Sequence, residues 1–222
     1  MNTIFLVLLL SNVVCFFIPG FWIQVWTTYR SLRLRHFGVF LVLLVIVAVG
    51  ANTISNLHPA FAWGWSPTGD NIGIAPMSSA IKHGGLEKIV GMLGFVLILL
   101  VMPSAVLFEE KMFRYKKLAW GKVVFSSIVF GFMHCLLAGL SLGIGLILSV
   151  VGFVLAILYR KAYFHTFAKL DGEFMRIDEE DPSPISEDIR ADLSHEAALK
   201  ESTCYHLAYN TSLILIVIVV NL

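Results

Sequence analysis

The sequence predicts an all-α fold, a polytopic membrane helix bundle of about six transmembrane helices, and three observations predict it. Of its 222 residues 58% are apolar and 14% charged, and the mean hydropathy is +0.82, a balance foreign to soluble domains. Six apolar runs, near residues 3–25, 37–54, 89–110, 122–140, 141–159 and 204–221, approach or reach the length that crosses roughly 30 Å of hydrocarbon. Basic residues gather on alternate loops, the charge pattern of a chain threaded back and forth.

The first run carries no positive residue before it and continues through Trp22. It therefore reads as a retained helix, the alternative being the apolar core of a cleaved signal peptide. Arg30, Arg33 and Arg35 follow it, and Lys111, Arg114, Lys116, Lys117 and Lys122 follow the third run. Both loops read as cytoplasmic, which puts both termini outside. The intervening segment 55–88 has Pro59, Trp63, Trp65, Pro67, Gly69, Pro76, Gly84 and Gly85. It reads as an ordered external loop whose tryptophans anchor at the membrane surface or meet a substrate. Runs four and five are separated only by an uncharged turn near Gly139 and Ser141, where Gly139 and Gly143 have close-packing spacing.

Residues 162–203 form the only extended polar stretch. Its first half, with DGEFMRIDEEDPSPISED, reads as a solvated acidic loop or a regulatory flap. From Ser186 a helix is expected: Ser186 caps it, Glu187 and Asp188 favour its positive end, and Ile189, Leu193 and Ala197 recur at helical spacing. This helix leads into the last span. Cys15, Cys135 and Cys204 show neither a CxxC pair nor secreted-domain spacing and read as small buried residues. The 16 Lys and Arg against 15 Asp and Glu form no basic run with interleaved aromatics, so nucleic acid is not a predicted partner.

Three apolar segments carry polar groups at helical spacing. In PSAVLFEEKMFRYKK, Glu109 and Glu110 end the third run and Arg114 lies one turn on. Residues four apart share a helix face while neighbours diverge by about 100°, so Glu110 suits Arg114 and leaves Glu109 without that partner. The bland alternative is that both glutamates sit in the headgroup zone among snorkelling lysines. In FGFMH, Phe130 and His134 share a face, and in HLAYN so do His206 and Asn210. Each histidine is, taken alone, also a packing or interface residue, and Asn210 a helix-gluing one. A tight turn at residues 118–122 makes runs three and four an antiparallel hairpin in which Glu109 and His134 stand at similar depth.

Together a carboxylate, a histidine, and a histidine with an asparagine suit hydrolysis of a peptide bond. The carboxylate takes a proton from water, one histidine holds that water, and the other with the asparagine stabilises an oxyanion. The ordered set EExxxR, FxxxH and HxxxN resembles the CPBP family, the CAAX proteases and bacteriocin-processing enzymes, which are intramembrane glutamic proteases. The likeness covers residues 89–222, making 1–88 two N-terminal helices with their external loop, and 89–222 a protease-like core with a polar cytoplasmic insertion at 162–203.

What the resemblance implies is that Glu109 is the catalytic base, supported by Glu110 and Arg114. His134, with Phe130 one turn before it, positions the water, and His206 and Asn210 form the oxyanion site. It implies no cofactor and no metal, a peptide or membrane-protein substrate, the lipid bilayer as surroundings, and a prokaryotic plasma membrane with the site open to the cytoplasm. Two departures stand out: Tyr115 follows the motif arginine where the family often has Gly, and Leu137 and Ala138 stand where prenyl-protein members carry further histidines. Two other classes compete. One is a non-catalytic relative acting as an immunity or scaffold protein; the other has Glu109, His134 and His206 as ligands of a divalent metal, for which there is no HExxH.

Overall fold

The computed structural model describes residues 16, 17, 19–57, 75–83, 85–138, 142–177 and 186–221. Every secondary-structure element among them is a helix: α1 (Phe21–Arg30), α2 (Leu34–Leu57), α3 (Ala75–His83), α4 (Gly85–Phe113), α5 (Trp120–Ala138), α6 (Leu142–Ile177) and α7 (Glu187–Asn221). The fold is an all-α bundle.

Four of these helices, α2, α4, α6 and α7, contain stretches long and apolar enough to cross a membrane, at Leu34–Ile54, Gly85–Phe113, Leu142–Asp171 and Glu187–Asn221. Helix α5 is apolar but shorter over Trp120–Cys135. The outward faces suit hydrocarbon: on α2, Leu41, Val45 and Val49 are 59–61% exposed at helical spacing.

The apolar run expected as one span over 3–25 is broken. Pro19 and Gly20 lie in a turn, and Gly20 takes a left-handed conformation at φ 79° before α1 begins. Proline lacks the amide proton a continuing helix needs, and glycine alone enters that conformation without strain. At ten residues α1 is about 15 Å long, half of what a span needs. The choice between retained helix and signal peptide falls on residues outside those described, as do Cys15 and the Trp63 and Trp65 of the external loop, within which α3 forms.

Helix α7 is shared by three apolar clusters. Leu207, Ile214 and Val217 pack with Phe95, Met102 and Val106 of α4 and with Met77 and Ile81 of α3. Tyr209 meets Phe40 and Leu43 of α2 and Val151 and Leu155 of α6. Ala198 and Leu199 meet Tyr159 and Tyr163 of α6. This last cluster explains a correction. Residues 162–177, expected as solvated loop, are helical, because Tyr163 and Phe167 continue an apolar face past the run expected to end at residue 159 and pack it against α7. Helix α7 itself starts where expected, with the Ile189 amide donating to Ser186 Oγ at 3.4 Å, and runs without a break through the last span.

The antiparallel hairpin expected between α4 and α5 is not the main pairing. The turn lies at Arg114–Ala119, and α5 shares little surface with α4 and packs along α6 instead. Glycines permit that approach. A Cβ on Gly131 would strike the Gly145 carbonyl, and one on Gly152 would come within 2.8 Å of Phe130 Cδ1. Of the pair Gly139 and Gly143, the former lies outside the described residues; the contact runs through Gly131, Gly145 and Gly152.

Helix α4 contains Pro103 within its span. A proline there leaves the carbonyl four residues earlier without its amide, and that carbonyl belongs to Leu99. The Tyr29 hydroxyl of α1 donates to Leu99 O. The short N-terminal helix thus completes the hydrogen bonding of a membrane-length one.

Candidate functional site

Helix α4 continues to Phe113, and the Arg114 amide still donates to the Glu110 carbonyl at 2.9 Å. This last turn of helix stacks the Glu110 and Arg114 side chains, and Arg114 Nη1 donates to Glu110 Oε1 at 2.5 Å. Both residues are almost wholly buried, 0% and 2% exposed. The pairing is the one that helical spacing predicts.

From α7, His206 Nδ1 donates to the same Glu110 oxygen at 2.8 Å, while its Nε2 lies 3.5 Å from Glu109 Oε2. The imidazole is therefore bracketed by the two adjacent carboxylates. With Nδ1 carrying a proton, a neutral ring would turn a lone pair toward the Glu109 oxygen. Glu109 differs from its neighbour in access. Its side chain is 28% exposed against 0% for Glu110.

Phe130 is the floor of this cluster. Its ring centre lies 4.6 Å from the Arg114 guanidinium and 5.3, 4.5 and 5.7 Å from the rings of Phe113, His134 and His206. A guanidinium over an aromatic face gains electrostatic attraction. His134 Nδ1 donates to the Phe130 carbonyl at 2.8 Å, one turn back on its own helix. That bond places a proton on Nδ1, so the Nε2 of a neutral ring is the acceptor.

The structure thus brings Glu109, Glu110, Arg114, Phe130, His134 and His206 together around one ring. Asn210, half-buried one turn beyond His206, is hydrogen-bonded to neither carboxylate among the described residues. Four buried atoms here, Glu109 Oε2, Glu110 Oε2, Arg114 Nε and Arg114 Nη2, have no hydrogen-bond partner. Buried charged groups without partners are costly, and each calls for one. Among the described residues no group of three or more His, Cys, Asp or Glu is placed to hold a metal ion.

Two supports escape sequence reasoning. Gly152 of α6 makes room for the Phe130 ring, and its signal, small residues seven apart at Gly145 and Gly152, is visible only once α5 and α6 are known to pair. The other is the turn after Arg114. Lys116 is there at φ 59°, a left-handed conformation that costs a side-chain-bearing residue roughly 1 kcal/mol. Its amide donates to the Tyr159 hydroxyl at 3.1 Å, Tyr159 donates to His195 Nδ1 at 2.8 Å, and Arg160 donates to the Leu118 carbonyl. From α7, Asp192 accepts from Lys116 Nζ at 2.8 Å and Glu196 from the Tyr115 hydroxyl at 3.0 Å. The Asp192 hydrogen bond holds the Lys116 ammonium above the usual lysine range.

No protein-family model, no curated protein and no solved structure matches the chain.

Proposed function

We propose that the chain is a multi-pass membrane protein and an intramembrane glutamic endopeptidase of the CPBP type, hydrolysing a peptide bond of a membrane-associated protein or peptide. The observation that carries this reading is the division of labour between adjacent carboxylates. Glu110 is locked by Arg114 and His206, while Glu109 is partly open beside His206 Nε2.

In this reading Glu109 takes a proton from water, and the hydroxide so formed adds to the scissile carbonyl. The proton then passes from Glu109 to the leaving amine as the carbon–nitrogen bond breaks, so atoms and charge balance. His134 Nε2, an acceptor because Nδ1 is committed to Phe130, orients the water. The Asn210 amide supplies a donor to the oxyanion, while His206, with Nδ1 on Glu110 and Nε2 facing Glu109, holds the two carboxylates in place. The loop charges favour the cytoplasmic side for this centre, and the family resemblance implies a prokaryotic plasma membrane.

The test is cleavage of a panel of membrane-tethered peptides by purified protein in lipid, with Glu109→Ala and His134→Ala compared at equal folded yield. Loss of a general base or its water-orienting partner lowers turnover by about 10²–10⁴. Cleavage lost in both variants and retained with chelator supports the reading. Cleavage lost only with chelator would move it to the metal-dependent class, and no cleavage by the parent across the panel to the non-catalytic one.

A further inference from the structure

The outward face of α6 carries one residue that hydrocarbon does not suit. Phe153, Ile157, Arg160 and Phe164 recur at spacings of three and four and so form one stripe of the helix. Ile157 and Phe164 are 38% and 47% exposed, and Trp120 of α5, 53% exposed, borders the stripe with its ring 6.3 Å from that of Phe153. Arg160 is half-buried among them. Its guanidinium lies 4.4 Å from the Trp120 ring and 5.1 Å from the Phe164 ring.

An arginine in an outward apolar stripe is costly in a membrane unless it stands at the hydrocarbon edge and finds a counter-charge. Its position meets the first condition. Counted from Leu142, the apolar run ends at Tyr159 and is about 27 Å long, close to the roughly 30 Å of a hydrocarbon core. Arg160 therefore opens the headgroup layer, at the end of the bundle where the turn Arg114–Ala119 lies, and its Nη1 donates to the Leu118 carbonyl of that turn. The second condition is not met within the chain. The other guanidinium N–H groups have no acceptor among the described residues, and Lys122 and Lys161, both exposed, pair there with no Asp or Glu. By contrast, Lys116, Arg190 and Arg35 each meet a carboxylate, that of Asp192, Asp171 and Glu201.

We propose that this α5–α6 face binds one anionic phospholipid, its phosphodiester on Arg160, with Lys122 and Lys161 flanking it and its acyl chains along Ile157 and Phe153. The planar guanidinium fork matches phosphate oxygens, and the two aromatic rings hold it in place. A zwitterionic headgroup would bring its own cation against the two lysines, so the face selects net negative charge. None of these residues belongs to the carboxylate cluster, and the site stands independently of the endopeptidase reading.

Phosphatidylglycerol and phosphatidylcholine share the phosphodiester and differ in that cation. Native mass spectrometry of the full chain in detergent, titrated with dioleoyl phosphatidylglycerol, dioleoyl phosphatidylcholine or free glycerophosphoglycerol, reads the affinity of the first molecule bound. The glycerol lipid should bind at least about tenfold tighter than the choline lipid. Arg160→Gln should bring that ratio close to one, and Arg160→Lys, which keeps the charge without the fork, should retain only part of it. Because Arg160→Gln also removes the bond to Leu118, the pair Lys122→Gln and Lys161→Gln gives a second reading and should lower the ratio about threefold or more. Lys82→Gln, which removes one charge at the other end of the bundle, should leave it unchanged. Equal binding of the two lipids by the parent would overturn the proposal. A ratio unmoved by Arg160→Gln and by the lysine pair, or lowered as much by Lys82→Gln, would overturn its location, and glycerophosphoglycerol binding as tightly as the lipid would overturn the lipid source.

Discussion

Replacing Tyr29 with Phe removes one hydroxyl whose proton goes to the Leu99 carbonyl, the group that Pro103 leaves without an amide. An unpaired, partly buried carbonyl costs about 1–3 kcal/mol, and Phe keeps the ring, so the loss is expected near 2 kcal/mol. Pro103→Ala alone returns an amide to Leu99 and removes a proline that costs about 3 kcal/mol in a helix interior, though it also empties a packed position. The double variant decides the matter. With the amide restored, Tyr29→Phe should cost close to nothing, a coupling of about 2 kcal/mol between side chains on different helices. Equilibrium unfolding in mixed micelles by added SDS, read on the full chain, gives all four free energies. Equal costs of Tyr29→Phe with and without Pro103 would refute the reasoning, because the carbonyl would then not depend on the proline.

Three other outcomes are expected. Arg114→Leu leaves Glu110 buried beside a single histidine and should cost about 3–5 kcal/mol, while Glu110→Leu with Arg114→Leu costs less than that single change; both are read by the same unfolding assay. Gly152→Ala drives a methyl to within 2.8 Å of Phe130 Cδ1 and should destabilise by about 1–3 kcal/mol, with a change in the aromatic ring signals of Phe130 by fluorine labelling. Tyr159→Phe removes the acceptor for the Lys116 amide and the donor to His195 Nδ1. It should cost about 1–2 kcal/mol and raise amide exchange at Lys116 while that of mid-α4 stays unchanged.

Local rules made several features legible. The i,i+4 spacing of Glu110 and Arg114 became an ion pair, and Ser186 with its acidic followers became a helix start. Apolar runs marked the long helices. What escaped was decided by tertiary contact. Nothing local says that an apolar face continues through Tyr163 and Phe167 to meet a second helix, so an acidic, proline-bearing stretch read as loop from its first residue. Nothing local says that α5 prefers α6 to α4, because Gly131, Gly145 and Gly152 matter only as a matched surface. The Pro19–Gly20 break was visible as letters and overruled by the hydropathy on either side of it. Within the site, the convergence of three segments could be inferred from residue types, but the sharing of one His206 ring by both glutamates could not.

Helices α6 and α7 have 36 and 35 residues, about 50 Å each, where a bilayer core uses roughly 30 Å. The surplus forms a paired stalk, and the turn after Arg114 is riveted to it through Asp192, Glu196 and Tyr159. His206 rides on the same rod, fourteen positions or ~21 Å further along. A sideways push on the stalk is therefore delivered at two points at once, to the arginine that neutralises Glu110 and to the imidazole that Glu110 holds. The carboxylate pair is mounted as the jaw of a pair of pliers whose handle stands outside the membrane.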